Sequence, residues 1–513
     1  MTKILAPVIA LLALLGGCTI NPVTGERELA LVTPAQELAI GEQHYAPSRQ
    51  SQGGDYQLDP GLTEYVRSVG ARLAQHSDRA LPYEFAVLNS SVPNAWALPG
   101  GKIAINRGLL WELNSEAELA AVLGHEIVHA AARHGAQSMQ RGMLLQGAVV
   151  ASAIATQNSQ YGQFATMGAS VAAQLVNQKY GRNAELESDL YGTQYMQRAG
   201  YDPSAAVDLQ QTFVRLSEGR SSGWLQGLFA SHPPSQERVQ RNQATVAQLG
   251  PGGERGEARY RNKLAALLKQ KPAYETYDNA RKALAENDAA KAESLAREAV
   301  KMEPREGHFH ALLGDIDIRA KRYDQAIRHF SDAQTRNDQF FYYPLQRGLV
   351  HKTLGAVNTA ESDLKISVEL LPTADAYQAL GEIAEGRGNV EQAKQYYAAA
   401  ANNNSGAGQA AQDALVRLDM PKNPGRYVRL ARALDRDRKI VIELGNTTRH
   451  SVGDIQLVID YVDQTGKIQQ IIRQFQGALP PGKTQRIVTG LGPFPSEDAY
   501  RVRIAAARVI QSQ

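Results

Sequence analysis

Four alanines, Ala292, Ala326, Ala360 and Ala393, recur at spacings of 34, 34 and 33 residues, and no other feature limits the fold of this chain as severely. Twelve residues before each stand Ala280, Gly314, Gly348 and Gly381, and four residues after each stand Ala296, Phe330, Leu364 and Tyr397. These are the small and large packing positions of a repeated helix pair, with Pro304 and Pro372 closing two of the repeats. A single pair cannot bury its apolar face, so such units stack into a solenoid with a continuous core. Four pairs are expected over about Ala273–Ala407. Gln409–Leu418 is expected as a capping helix, giving an α-solenoid domain at 273–420.

The pattern resembles the tetratricopeptide repeat. The resemblance implies a concave surface that binds protein, although a spacer is the simpler role. Beyond the cap the period changes from helix to strand. Lys439–Leu444, Ile455–Val462, Lys467–Phe475, Gln485–Val488 and Tyr500–Ile504 are β-rich and separated by turn signals such as Thr465-Gly466 and Pro480-Pro481-Gly482. A small β-sandwich over 425–513 is expected, with no chemistry visible in it.

Chemistry concentrates upstream, in His125-Glu126-Ile127-Val128-His129. Residues i and i+4 share a helix face, so both imidazoles can reach one metal ion while Glu126 touches a water bound to it. A helix is expected locally. Ser115 and Glu118 read as a capping box, Leu119, Leu123, Ile127 and Ala130 as an apolar stripe, and Gly135 as a left-handed stop. Arg133 and His134 fall in the last turn, where cations favour the dipole, and read as structural. A zinc site of this kind needs a third protein ligand. Glu185-Leu186-Glu187-Ser188-Asp189 offers Glu185, with Asp189 one turn on to accept the free N–H of a ligand histidine. A solvated acidic helix face is the alternative.

With these two segments stand Asn94-Ala95-Trp96-Ala97-Leu98-Pro99-Gly100-Gly101-Lys102-Ile103 and Ser231-His232-Pro233-Pro234-Ser235. Together the four motifs, spanning about Asn94 to Arg241, resemble the BepA/HtpX-like gluzincin zinc metallopeptidases, relatives of the CAAX endopeptidases. Ser188 stands where that family usually carries Ala. The resemblance implies one Zn2+ per chain held by His125, His129 and Glu185, with Glu126 as general base for attack of water on a peptide carbonyl. It implies that strand Trp96–Leu98 pairs with extended substrate while Asn94 contacts the substrate backbone. His232 either hydrogen-bonds the oxyanion or takes the place of water on the metal, as a self-inhibited resting state.

At the N-terminus Lys3 precedes the apolar run Ile4–Leu15, and Leu15-Gly16-Gly17-Cys18 has the form of a lipobox. A signal peptide over 1–17 is expected, with lipidation of Cys18, the only cysteine. Thr19 after the cysteine resembles the outer-membrane sorting preference of lipoproteins, so the expected location is the bacterial periplasm, anchored to the outer membrane. The 55 Lys and Arg nearly balance the 52 Asp and Glu, which gives no reason to expect nucleic acid. Two apolar stretches, Gly142–Thr156 and Phe164–Val176, are each too short to cross a membrane. They read as a helical hairpin over the active site, or as a membrane-touching surface or lid.

The expected fold class is α+β and mostly helical: a gluzincin metallopeptidase domain at 18–250, the tetratricopeptide solenoid and the β-sandwich. The expected function is zinc endopeptidase action on misfolded or stalled envelope proteins, the repeats recruiting clients or an outer-membrane protein assembly complex. A periplasmic chaperone or scaffold with little proteolysis is the alternative.

Overall fold

The structure, a computed structural model, describes residues 18–146, 180–219, 232–250, 252–401, 403–463 and 465–510. It divides into two compact units, Met1–Ala376 and Tyr377–Gln513. The expected signal peptide lies outside the described residues, as does the expected hairpin apart from Gly142–Gln146, which ends the helix His134–Gln146. Cys18 opens a short strand, Cys18–Ile20, antiparallel to Arg27–Leu29. Among the described residues no helix is long and apolar enough to cross a membrane.

The first unit forms around the helix Glu116–Ala131, every residue of which is buried. Ser115 caps it, the hydroxyl accepting the Glu118 N–H at 3.1 Å. The expected capping box is only half made, because the Glu118 carboxylate takes the Asn114 N–H at 3.0 Å. The left-handed stop falls on Arg133, with φ 64°, and not on Gly135, which lies inside the next helix, His134–Gln146. Arg133 is held in that conformation by its own side chain, which binds the Glu37 carboxylate and the Val32 carbonyl. Gly135 instead packs closely on Pro99: a Cβ there would lie 3.3 Å from the proline ring.

Leu119, Leu123, Ile127 and Ala130 all enter the main core of this unit, as their helical spacing predicts. The helix packs on Pro60–Ala74, Arg182–Arg198 and Ser204–Gly219, and on a three-stranded sheet. In the sheet Glu84–Leu88 runs parallel to Lys102–Asn106, which runs antiparallel to Ala95–Leu98, so Ala95–Leu98 is an outer strand.

The repeats follow. Helix pairs form at Ala265–Ala285 with Ala289–Met302, Gly307–Arg319 with Tyr323–Arg336, and Tyr342–Thr353 with Val357–Leu370. The first helix starts before Ala273 and runs through Pro272. The 34-residue pattern has a direct packing cause: a Cβ on Gly314 would meet the Phe330 ring at 2.7 Å, and one on Gly348 would meet Leu364 at 3.0 Å.

In the second unit Val390–Ala400 packs its Tyr397 ring where a Cβ on Gly381 would come within 2.5 Å, and Gly406–Asp419 is the capping helix. Two three-stranded antiparallel sheets follow, ordered Thr484–Val488, Ile440–Asn446, Val428–Leu434 and Tyr500–Val509, Val452–Val462, Ile468–Gln474. Ile442, Leu444, Leu457, Ile459 and Tyr500 share their core. The strand Val428–Leu434 was not expected: Arg432 falls on its inward-facing side and breaks the alternation, and the partner strand, not the pattern, decides its state.

Candidate metal centre

The helix Glu116–Ala131 presents His125 and His129 on one face, and Arg182–Arg198 crosses it at Gly124 and Gly192, bringing Glu185 and Asp189 over them. The Nε2 atoms of the two histidines lie 3.0 Å apart. Glu185 Oε2 is 3.5 Å from His125 Nε2, and Oε1 is 3.4 Å from His129 Nε2. His232 joins the group, with Nδ1 3.0 Å from Glu185 Oε1 and 3.3 Å from His125 Nε2. All four are buried, with one ligand atom of each within 4.8 Å of the others.

The hydrogen bonds behind these atoms fix their tautomers. His125 Nδ1 donates to Asp189 Oδ1 at 2.9 Å, so that the neutral ring keeps its lone pair on Nε2. His134 Nε2 faces the Glu187 carboxylate at 3.4 Å, so His134 Nδ1 is left to accept from His129 Nδ1 at 2.8 Å. His129 Nε2 is bare as well. Two buried lone pairs facing each other at 3.0 Å repel unless a cation or a proton lies between them. Zinc–nitrogen bonds of roughly 2.0–2.1 Å in a tetrahedron hold ligand atoms about 3.3 Å apart, so the donor set fits a zinc ion in kind and spacing.

Arg238 organises the carboxylates. Its guanidinium grips Asp189 with two bonds of 2.7 Å, reaches Glu185 Oε2 at 3.0 Å, and donates to the Pro233 carbonyl at 3.3 Å, pinning the loop that carries His232. Burial pushes Asp189 up, but the Arg238 charge and hydrogen bonds outweigh it and hold the carboxyl below its usual value. Burial likewise opposes ionisation of Glu185, and His232, His125 and His129 overcome it, holding Glu185 well below the carboxylate range. His125 is pushed down by burial and more strongly up by Asp189 and Glu185, to about 9. His129 is held neutral, mainly by burial.

Glu126 differs from these. Its Oε2 is buried without a hydrogen-bond partner among the described residues, Oε1 lies 3.6 Å from His232 Nε2, and burial raises its pKa. Asn94 sits just before the outer strand. Its carbonyl accepts from Asn106 N at 2.8 Å, while its buried Oδ1 has no partner among the described residues. The outer strand is covered: Trp96 and Ala97 are buried, Tyr180 stacks on the His129 ring at 3.9 Å, and its hydroxyl donates to the Ala97 carbonyl at 3.4 Å. A cavity of about 30 Å³ beside His125 and Glu126 has room for about one water.

Sequence reasoning missed Arg238, Tyr180 and the Glu187–His134 support of His129. Only the last left a signal, in the placement of Glu187 between the two carboxylates already singled out.

Residues 60–246 match Peptidase family M48, and residues 283–343 match the tetratricopeptide repeat. The chain is similar to the beta-barrel assembly-enhancing protease of Escherichia coli K12, 28% identical over 345 residues, covering 61% of this chain and 69% of that protein. It is 30% identical over 236 residues to the protein of the same name from Yersinia pestis, 45% of this chain and about half, 48%, of that one. It is also similar to metalloprotease YcaL of Escherichia coli K12, 28% identical over 270 residues, 48% of this chain and 98% of YcaL.

Proposed function

Residues 60–246 of this chain form a metallopeptidase domain of family M48, and from that premise we propose that the protein is a zinc endopeptidase of the bacterial envelope. The observation that carries the reading is the convergence of His125 Nε2, His129 Nε2 and the Glu185 carboxylate on one buried point. His125, His129 and Glu185 would hold the ion. Bound there, zinc is the Lewis acid that makes a water nucleophilic near neutral pH and polarises the peptide carbonyl.

The protein's own groups do the rest. Asp189 and His134 orient the two imidazoles through their Nδ1 atoms. Arg238 keeps Asp189 ionised, so that His125 retains the Nδ1 proton and offers Nε2. Glu126 takes a proton from the attacking water on its unpartnered Oε2 and releases it to the departing amine, and its raised pKa suits both transfers. Asn94 Oδ1 accepts from the backbone of a peptide laid along Ala95–Leu98.

Substrates are proposed to be misfolded or stalled envelope proteins, in keeping with relatives named for beta-barrel assembly enhancement. The repeats recruit these clients or an outer-membrane assembly complex, and a lipid on Cys18 tethers the enzyme to the outer membrane from the periplasmic side. A second reading, a chaperone or scaffold with little proteolysis, is favoured by the place of His232 among the ligand atoms, 3.0 Å from Glu185. Metal analysis with an assay on unfolded casein separates the two. Glu126→Gln should keep zinc and lose cleavage; cleavage at the wild-type rate would remove the endopeptidase reading.

A further inference from the structure

A second group of metal-ligating side chains lies far along the sequence from the first, within the second helix pair of the repeats. His310 comes from Gly307–Arg319, and His329 and Asp332, three residues apart on one helix face, come from Tyr323–Arg336. One ligand atom of each lies within 4.8 Å of the others.

Both imidazoles turn Nε2 toward an oxygen acceptor. His310 is buried, and its Nε2 lies 3.0 Å from the Pro304 carbonyl, which can only accept. Nε2 therefore carries the proton, and Nδ1 keeps its lone pair. His329 Nε2 faces the Asp317 carboxylate at 3.6 Å, and its Nδ1 is buried with no hydrogen-bond partner among the described residues. A proton fixed on one ring nitrogen by a carbonyl or carboxylate, with the other nitrogen left bare, is how ligating histidines are held. Nothing in the packing of a helix pair requires it. Burying a bare acceptor is unfavourable unless something satisfies it.

We propose that His310, His329 and Asp332 form a second metal site, which takes a late first-row divalent cation, with Zn2+ as the natural occupant. Two imidazoles and one carboxylate favour zinc, copper or nickel over magnesium or calcium, which prefer all-oxygen sites. Asp332 is exposed and is held by a 3.5 Å contact to Arg336, so its carboxylate can turn toward the imidazoles when a cation arrives. Arg336 also donates to the Pro304 carbonyl at 2.6 Å and keeps a positive charge nearby. That charge lowers the affinity of the site for a cation. The ion would cross-link the two helices of this repeat, stiffening the pair.

The test is zinc stoichiometry on the full chain, read by metal analysis after dialysis against micromolar Zn2+ and by titration calorimetry. Wild type should bind two zinc ions, and both His329→Gln and Asp332→Asn should bind one. Asp332 is exposed, so Asp332→Asn keeps the fold even where His329→Gln does not. In a His125→Gln/His129→Gln background one zinc should remain, and adding Asp332→Asn should remove it. A single zinc in wild type, or a second zinc that persists in Asp332→Asn and His329→Gln, overturns the proposal.

Discussion

Gly124 and Gly192 face each other where the two site helices cross: a Cβ on Gly192 would lie 2.9 Å from the His125 nitrogen and 3.0 Å from the Gly124 carbonyl carbon. The crossing distance is what brings Glu185 within reach of both histidines. Gly192→Ala gains about 1 kcal/mol of helix propensity. It also forces the backbones apart, a strain of about 1–3 kcal/mol. The expected result is a lower melting temperature and weaker zinc binding. Gly386→Ala, at a helix end with nothing within 4 Å of the new methyl, should show neither in the same thermal scan and zinc titration.

Arg238 is the counter-charge for two buried carboxylates. Arg238→Met strands Asp189 and Glu185 without it and should cost about 3–5 kcal/mol in denaturant unfolding of the metal-free protein. Arg238→Lys should recover only part of this, because an ammonium cannot reproduce the two-bond grip on Asp189. Equal midpoints for wild type and Arg238→Met would contradict the role.

His232 stands among the ligand atoms, and His125, His129 and Glu185 make up a three-ligand set without it. His232→Ala should leave zinc content unchanged and raise basal cleavage of an unfolded substrate several-fold. A fall in turnover at constant zinc content would instead mark His232 as a donor to the transition state, and unchanged kinetics would make it a loop residue.

Zinc competes with a proton at His125. In the metal-free protein that imidazole holds its proton up to about pH 9, and zinc binds only the neutral ring. Affinity should therefore rise with pH, by about tenfold per unit below that value, and binding near neutrality should release about one proton from this ring. Calorimetry in buffers of different ionisation heat measures the release directly, and a value of zero would contradict the assignment.

Much of this was legible in the chain because its periods are strong. The spacing of Ala292, Ala326 and Ala360 reports a packing constraint that each repeat must meet locally, and His125 and His129 share a face by helical geometry alone. Glu185 could be nominated but not located, since its approach depends on two glycines inside helices, where glycine usually signals only lost stability. Arg238 left no signal: in Ser235-Gln236-Glu237-Arg238 it reads as an ordinary solvated face, and only the fold turns it inward. The stop at Arg133 was misassigned to Gly135 because a side chain tied to Glu37 can stabilise a conformation that the local sequence disfavours.

Under the proposed function, the Tyr180 hydroxyl on the Ala97 carbonyl makes the protein its own competitor for that strand. An attached competitor acts at an effective concentration of the order of millimolar. Peptides diffusing freely at micromolar levels lose that contest, whatever their sequence, while a chain already captured elsewhere on the molecule arrives at comparable local strength. Selectivity then lies in who is held nearby and not in which bond is offered, so a scissors of little sequence discrimination can remain harmless to its bystanders.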